Sequence, residues 1–367
     1  MLEQETLFEL LRNTTFENFP SNLKLVDFVK QVDIDGKSAV VLIQLPFPCE
    51  GIVESLSSEL MAVIEKSWPE YQFQIKIRQN LVAYETKAGV APISKVKNII
   101  AVASGKGGVG KSTTSVNLAL ALQKEGAKVG ILDADIYGPS VPIMLGIPDA
   151  KPESKDKKTI EPLEAHSLKA MSIGFLVDEK QAMVWRGPMA SSALQQIVRD
   201  TQWQDLDYLI IDLPPGTGDI QLTMAQKIPV TAAVIVTTPQ DLALADAKKA
   251  IAMFEKVKIP VMGVIENMST HICSECGHQE PIFGDGGGQN LAEEYKIDLL
   301  GQLPLTMSIR KNLDDGMPSV ALDPEGTIAQ TYRLIARKLA ANLTVLGKDF
   351  SKGSQAIDIA TWKPKSE

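Results

Sequence analysis

The sequence lacks the excess of basic residues that nucleic-acid-binding and lipid-binding proteins use. Its 367 residues include 37 lysines and arginines against 45 aspartates and glutamates, which gives a net charge of −8 at pH 7. A chain without an overall basic field has no long-range attraction for DNA or for anionic lipid. We therefore expect neither nucleic acid nor a membrane among the partners of this protein.

Long hydrophobic runs are also missing. The longest, such as NIIAVA and AAVIV, are far shorter than the roughly 20 residues that cross a bilayer as a helix. The chain opens MLEQETLFELLRN, which lacks the basic and then apolar run of a secretory signal. These features predict a soluble, cytoplasmic protein.

Cysteine is scarce, and its number is odd. The chain has three cysteines, two of which lie close together in HICSECGH. An odd number with one close pair does not suit a disulfide framework. The cysteines instead indicate a reducing compartment and a role in metal or redox chemistry.

Two patterns of hydrophobic residues divide the chain. Residues 1–80 combine a helical segment, the strand SAVVLIQL, a second helix candidate and the alternating YQFQIKIR, which predicts a small α+β domain. Over residues 98–347, short apolar runs alternate with helical segments, as in a mainly parallel sheet flanked by helices. The remaining segments are predicted to be a linker at 81–97, an exposed loop at 149–162 and a loose C-terminal tail at 348–367.

A glycine-rich loop follows the first strand of the larger domain. Its sequence, GKGGVGKST, fits the pattern G-x-x-x-x-G-K-[ST] of a P-loop NTPase and precedes a helical segment. The glycines allow backbone N–H groups to point at phosphates beside a helix N-terminus. Lys111 should bridge the β- and γ-phosphates, and the Ser112 hydroxyl should bind Mg²⁺. The predicted nucleotide-binding residues of this loop are Gly105, Lys106, Gly107, Gly108, Val109, Gly110, Lys111, Ser112 and Thr113.

The second lysine of the loop, Lys106, is unusual. With it the loop resembles the deviant phosphate loop of the MinD and ParA class of ATPases, which act as dimers in which this lysine reaches the partner chain's nucleotide. The resemblance implies for Lys106 the catalytic role that an arginine finger has elsewhere. A solvated surface lysine is the alternative interpretation.

Three aspartates follow predicted strands of the same domain. Asp133 and Asp135 lie in VGILDADIYGPS, and Asp212 lies in DYLIIDLPPGTGD. Carboxylate oxygens are suitable ligands for Mg²⁺ beside a triphosphate. In the resembled class the first of these residues supports the magnesium shell, the second positions the attacking water, and the third acts on Mg²⁺ through its bound water, while Gly216 lies in a loop that senses the γ-phosphate.

Signals for the base and for a further anion contact are weaker. The segment VMGVIENMS predicts a strand that ends at Asn267, whose amide could pair with adenine, as in the resembled class, or could be an ordinary turn residue. The guanine-recognition pattern [NT]KxD is absent from the sequence, which favours ATP. Arg186 precedes a helix that begins with proline and is either an anion contact or a surface arginine.

Cys273 and Cys276 supply half of a metal site, because zinc and iron-sulfur clusters usually take four protein ligands. His271 and His278 could complete it within the chain, but common zinc sites separate their two ligand pairs by a dozen or more residues. Cys49 lies in the other domain and adds at most one thiolate. Two chains related by a two-fold axis would supply four, the ligand set of a [4Fe-4S] cluster. The second lysine of the phosphate loop needs the same homodimer.

Several motifs together resemble the Mrp (ApbC) family of iron-sulfur cluster carrier ATPases: GKGGVGKST, LDADIYGPS, WRGPM, DLPPGTGD, VTTPQDLALADAKKA, ENMS followed by C-x-x-C-G-H, and IFGDGGG. The likeness covers most of residues 95–340. The N-terminal unit is similar to the small domain of iron-sulfur assembly proteins but lacks a DPE-like motif, and Thr306 stands where the family usually has an acidic residue. The resemblance implies a slow ATPase that holds a [4Fe-4S] cluster at a homodimer interface, transfers it to apo-proteins and meets assembly scaffold proteins.

Other interpretations remain open at the level of sequence. A structural zinc shared across a dimer fits the cysteine pair by ligand count. A redox C-x-x-C lacks a thioredoxin-like context. A positioning ATPase of the MinD or ParA kind, an electron-donating ATPase like the nitrogenase iron protein and a zinc-stabilised scaffold are the functional alternatives. GDGGG, residues 284–288, is expected to be a turn that leads into the helix NLAEEYK.

Overall fold

The fold is described from a computed structural model, in which residues 2–17, 19–86, 90–177 and 187–347 are described. The predicted tail at 348–367 and Arg186 lie outside these residues. Among the described helices, none has the length and hydrophobicity that a membrane span requires. The N-terminal elements are α1 (Gln4–Asn13), β1 (Val29–Asp35), β2 (Ser38–Leu45), α2 (Val53–Ser67) and β3 (Gln72–Gln79).

The three N-terminal strands form a small sheet in which β2 is central, parallel to β3 and antiparallel to β1. Alternation explains its two faces: Val41 pairs with Ile75 and Ile43 with Ile77, so apolar side chains collect on one face. Strand β1 escapes prediction because its sequence VKQVDID is mostly polar and its residues are half-buried or exposed. The predicted α+β content of this region is confirmed.

Within the described residues, the larger sheet has nine strands, and strands alternate with helices along most of this part of the chain. In order they are β4 (Val96–Ala103), α3 (Lys111–Lys124), β5 (Val129–Asp133), α4 (Val141–Met144), β6 (Leu163–Ala165), β7 (Leu168–Ser172), α5 (Gly187–Asp200), β8 (Leu206–Asp212), α6 (Asp219–Lys227), β9 (Ala232–Thr237), α7 (Asp241–Lys256), β10 (Val261–Ile272), β11 (Gln279–Glu280), α8 (Gly287–Tyr295), β12 (Leu299–Leu305), α9 (Met307–Asp314), α10 (Ser319–Leu322) and α11 (Thr327–Asn342).

The strand order is β11-β10-β9-β4-β8-β5-β7-β6, and β12 lies beside β10. Among the described residues of this sheet, six strand pairings are parallel, and only β6 with β7 and β10 with β11 are antiparallel. Apolar cores lie on both faces of the central strands, which explains their uninterrupted hydrophobic sequences. The predicted α/β P-loop NTPase fold, with a mainly parallel sheet flanked by helices, is confirmed.

One of the two cores extends into the N-terminal unit. It joins Val41 and Leu56 of that unit to Leu118 of α3 and Ile335 of α11. At the polar end of this contact, Glu125 follows the last turn of α3, and its carboxylate binds two arginines of α11. The N-terminal unit therefore packs on the helix that begins at the phosphate loop.

Candidate functional site

The phosphate loop connects the end of β4 to the first turn of α3. Gly110, directly before the helix, has a φ of 82°, and a Cβ atom there would lie 2.1 Å from the Asn267 amide nitrogen. Glycine is thus required by both backbone conformation and space. All nine predicted loop residues lie in this turn or at the start of α3, the position at which a helix N-terminus attracts phosphate.

Lys111 is buried and forms an ion pair with Asp212, with 2.8 Å between Nζ and Oδ1. The same Asp212 oxygen accepts a hydrogen bond from the hydroxyl of Ser115 at 2.6 Å. The other oxygen of Asp212, Oδ2, is buried and has no hydrogen-bond partner among the described residues. A buried carboxylate oxygen without a protein partner is suited to a water ligand of a metal ion.

Ser115 was missed by the sequence analysis, although its position carried a signal. It lies four residues after Lys111 and therefore on the same face of α3, one turn further along. Its hydroxyl oxygen also lies 3.0 Å from the Lys111 carbonyl oxygen. Ser115 helps to hold Asp212 beside the loop.

Asp133 is fully buried at the end of β5. Its Oδ1 accepts from the backbone N–H of Asp135, and its Oδ2 accepts from the N–H of Val141 and the hydroxyl of Ser172. Burial, with a smaller effect of the nearby Asp212, raises the pKa of Asp133 to about 7. A cation nearby would favour the charged form of such a carboxyl.

Asp135 lies two residues beyond the strand and keeps contact with solvent. Burial raises its pKa, and the ammonium group of Lys111 partly opposes this effect. A carboxyl with a raised pKa is a better proton acceptor near neutral pH. The structure thus brings Asp133, Asp135 and Asp212 to one edge of the sheet, around Lys111.

Asn267 lies within β10, and the prediction that the strand ends there was wrong, since β10 continues to Ile272. Met268 has a φ of 58°, and the pairing of β10 with β12 shifts between Asn267 and His271. This left-handed residue interrupts the local strand pattern directly after Asn267. The Asn267 amide donates to the Val109 carbonyl oxygen of the phosphate loop at 2.9 Å.

A cavity of about 400 Å³ opens beside this contact. Gly110, Thr113 and Asn267 line it on the loop side, and apolar side chains of α4 and α9 line the other side. An apolar cavity with a few polar groups beside a phosphate loop suits a nucleotide base. Thr306 also lines it and caps α9, since its Oγ1 accepts from the Ile309 N–H.

Lys106 is half-buried in the loop. Among the described residues its ammonium group has no hydrogen-bond or ion-pair partner, in contrast to Lys111. The charge of Lys106 is therefore available to a group outside these residues.

The cysteine pair occupies the turn of a short hairpin formed by β10 and β11. The Cys273 N–H donates to the His278 carbonyl oxygen, and the Gly277 N–H donates to that of Cys273. Backbone N–H groups of Cys276 and Glu275 at the Cys273 sulfur lower the pKa of that thiol. Cys276 is exposed and Cys273 half-buried, so a ligand can reach both sulfur atoms from outside the chain.

No group of three metal-binding side chains occurs in the part of the chain that the structure describes. His271 and His278 each face Glu280 at 4.0 Å instead of joining the cysteines. Cys49 is 1% exposed within the core. The pair in the hairpin therefore has no third ligand among the described residues.

Comparison with known proteins identifies the family to which this site belongs. Residues 95–340 match a family model described as ParA, NUBPL iron-transfer P-loop NTPase. The chain is 49% identical over 341 residues to an iron-sulfur cluster carrier protein of Haemophilus influenzae, covering 93% of this chain and 92% of that one.

Solved structures show the same fold. A nucleotide-binding protein of Archaeoglobus fulgidus in complex with ADP is 40% identical and covers 63% of this chain and 89% of its own, with a TM-score of 0.54. The cell division ATPase MinD of Pyrococcus furiosus is 22% identical, with a TM-score of 0.50 over 66% of this chain and 98% of its own. At that identity the MinD match supports the fold alone.

Proposed function

This chain belongs to the family of NUBPL iron-transfer P-loop NTPases, and from this premise we propose that it is a homodimeric, ATP-hydrolysing carrier of iron-sulfur clusters. In this proposal a [4Fe-4S] cluster is the cargo. Cys273 and Cys276 of both chains hold it, and it is delivered to apo-proteins after loading from assembly scaffold proteins. Slow hydrolysis of ATP governs the state of the dimer.

The observation that carries the proposal is the cysteine hairpin, which presents two thiols and no third ligand within the described residues. Two such hairpins across a two-fold axis would supply the four thiolates of the cluster. A cluster held by two ligands per chain at an interface can be released when the interface changes.

The roles at the nucleotide follow from the surroundings of each side chain. Lys111 exchanges the Asp212 carboxylate for the β- and γ-phosphates, and Asn267 lines the cavity that would take adenine. Asp135 orients the water that attacks the γ-phosphorus, so that ADP and phosphate form. Lys106 acts on the γ-phosphate bound by the partner chain.

The chain also has side chains that fit Mg²⁺. The Ser112 hydroxyl would bind the ion directly, while Asp133 and the free Oδ2 of Asp212 would bind its water ligands. When bound, Mg²⁺ neutralises charge on the β- and γ-phosphates. The protein's part is to fix the carboxylates of Asp133 and Asp212 at the ends of two adjacent parallel strands, β5 and β8, and the Ser112 hydroxyl at the start of α3.

The test is the substitution Cys273→Ala in anaerobically reconstituted protein. We expect loss of the visible absorbance of the cluster with unchanged affinity for ATP, because the hairpin lies outside the phosphate loop. Cys49→Ala is the matched control, since it also removes one thiol and should leave the cluster intact. Retention of the full cluster by Cys273→Ala would defeat the proposal.

Analysis of metal and sulfide in the same samples separates the cluster from zinc. Iron with an equal amount of acid-labile sulfide is expected. Zinc without sulfide would instead indicate a structural metal site shared by two chains.

A further inference from the structure

The carboxylate of Glu266 joins two parts of the molecule that the proposed function leaves unconnected. Glu266 is fully buried in β10, directly before Asn267. Its Oε2 accepts a hydrogen bond from the backbone N–H of Gly288, and its Oε1 accepts from the Gln302 side chain at 2.7 Å. Burial of a carboxylate is costly unless such donors satisfy it, so this arrangement is well defined.

Gly288 belongs to the sequence GDGGG, which was predicted to be a turn. It lies in the first turn of α8, where free N–H groups favour a negative charge. A Cβ atom at residue 288 would lie 2.9 Å from both Cβ and Oε2 of Glu266. Glycine therefore permits the close contact between β10 and the start of α8.

This contact holds one side of the cysteine hairpin. The hairpin leaves β10 at Ile272 and returns through β11 to α8. The outgoing side passes through the kink at Met268, where the backbone is left-handed and the register with β12 shifts. The contact between Glu266 and Gly288 fixes the returning side to the part of β10 that lies before the kink.

The same part of β10 contacts the nucleotide site. Asn267 donates to the Val109 carbonyl oxygen and lines the cavity beside the phosphate loop. Asn267 pairs with Leu303 and His271 pairs with Leu305, so at about 3.3 Å per strand residue the hairpin begins only about 7 Å along β12 from Asn267. Glu266 adjoins Asn267 in β10 and contacts Gly288 on the returning side of the hairpin, so its side chain is able to link the positions of the two sites.

We propose that Glu266 is a positioning residue that couples the nucleotide site to the cysteine hairpin through Gly288. A nucleotide that moves Asn267 moves Glu266 with it, and the start of α8 and the hairpin follow. The inference rests on the proposed function, because it gives that function a route from ATP to the cluster ligands.

The test measures alkylation of Cys273 and Cys276 by iodoacetamide in protein without cluster, with and without ATPγS and Mg²⁺, by peptide mass spectrometry. In the unsubstituted chain we expect nucleotide to change the rate by about fivefold or more, the lower end of usual coupling between sites. Glu266→Ala and Gly288→Ala should abolish this response while leaving the affinity for ATPγS unchanged. Two variants on opposite sides of the contact guard against misfolding of one of them.

Two controls distinguish positioning from a merely structural role. Glu266→Gln keeps an acceptor for the Gly288 N–H and should retain the response. Gln302→Ala removes the other hydrogen bond of the carboxylate, which leads to β12 and not to α8, and should retain it as well.

Several results would overturn the inference: no response in the unsubstituted chain, an undiminished response in both Glu266→Ala and Gly288→Ala, or an equal loss in Gln302→Ala. Because the assay uses protein without cluster, its failure is distinct from a failure of the Cys273→Ala experiment. The carrier function could then hold while this route is wrong.

Discussion

Lys106 and Lys111 lie five residues apart in one loop but have different surroundings. Lys111 is buried against Asp212, whereas the ammonium group of Lys106 has no partner among the described residues. The sequence motif identifies both lysines, because their spacing in GKGGVGKST is sufficient for that. Only the structure shows that their loss should have different physical consequences.

For Lys106→Ala we expect unchanged stability and ATP affinity but a fall in ATPase rate of about 10³, as on the loss of an arginine finger. Lys111→Ala should weaken ATP binding and also lower the free energy of unfolding, because it leaves the buried Asp212 carboxylate without its cation. Urea denaturation, a nucleotide-binding titration and phosphate release measure the three quantities. Equal effects of the two substitutions on stability would contradict this distinction.

Cys49 gives a pH prediction that separates it from the hairpin cysteines. Burial, followed by the charges of Glu125 and Glu50, raises the pKa of the Cys49 thiol to about 12. The folded protein thus holds this proton more tightly than the unfolded chain, so the contribution to stability is lost as pH rises above the usual thiol pKa toward 12.

Between pH 7 and about 9, alkylation of Cys49 in the folded protein should therefore stay negligible, while Cys273, whose thiol pKa is lowered, is alkylated. Peptide mass spectrometry after short exposure to iodoacetamide measures both rates, and urea-unfolded protein provides the reference rate for Cys49. Rapid labelling of Cys49 in the folded chain would contradict the burial of its thiol.

At the scale of elements, periodicity predicted most strands and helices of the central sheet, because their buried faces repeat. It failed for β1, whose polar sequence is paired on one side only by β2. The predicted strand β10 also ended too early. A left-handed residue at Met268 interrupts its local pattern, but pairing with β11 and β12 continues the strand beyond that residue. Pairing between segments that are distant in the chain cannot be read from the local sequence pattern.

The contact between α3 and the N-terminal unit could not be predicted from the sequence either. Glu125 lies at the C-terminal end of α3, where a negative charge opposes the helix dipole. Arg333 and Arg337 bind its Oε1 at 2.7 and 2.8 Å, and the backbone N–H of Gly51 donates to its Oε2 at 3.1 Å. No spacing rule connects residues separated by such lengths of chain.

We expect Glu125→Ala to lower the free energy of unfolding by about 3–5 kcal/mol, since it removes the buried carboxylate that binds both Arg333 and Arg337. Glu325→Ala is the matched control, because Glu325 binds the same Arg333 but is 78% exposed, and should cost at most about 1 kcal/mol. Urea denaturation measures both. Similar losses in the two variants would mean that burial does not set the strength of this cluster.

At the scale of the whole molecule, one apolar core continues from the N-terminal unit through α3 and α11 to the central sheet. The division of the chain into domains at 1–80, 81–97 and 98–347 stays a prediction. Through this shared core, the N-terminal unit packs against α3, the helix that begins at the phosphate loop. The exposed cysteine hairpin lies apart from this core, at the far end of β10.

The sharing of one cluster by two chains is the central feature of the proposed function. Its direct test is the mass of the anaerobically reconstituted protein, measured by native mass spectrometry together with its iron and sulfide content. We predict a species of two chains that carries about four iron and four sulfide ions in total. A single chain that carries the full complement of iron and sulfide would contradict the account.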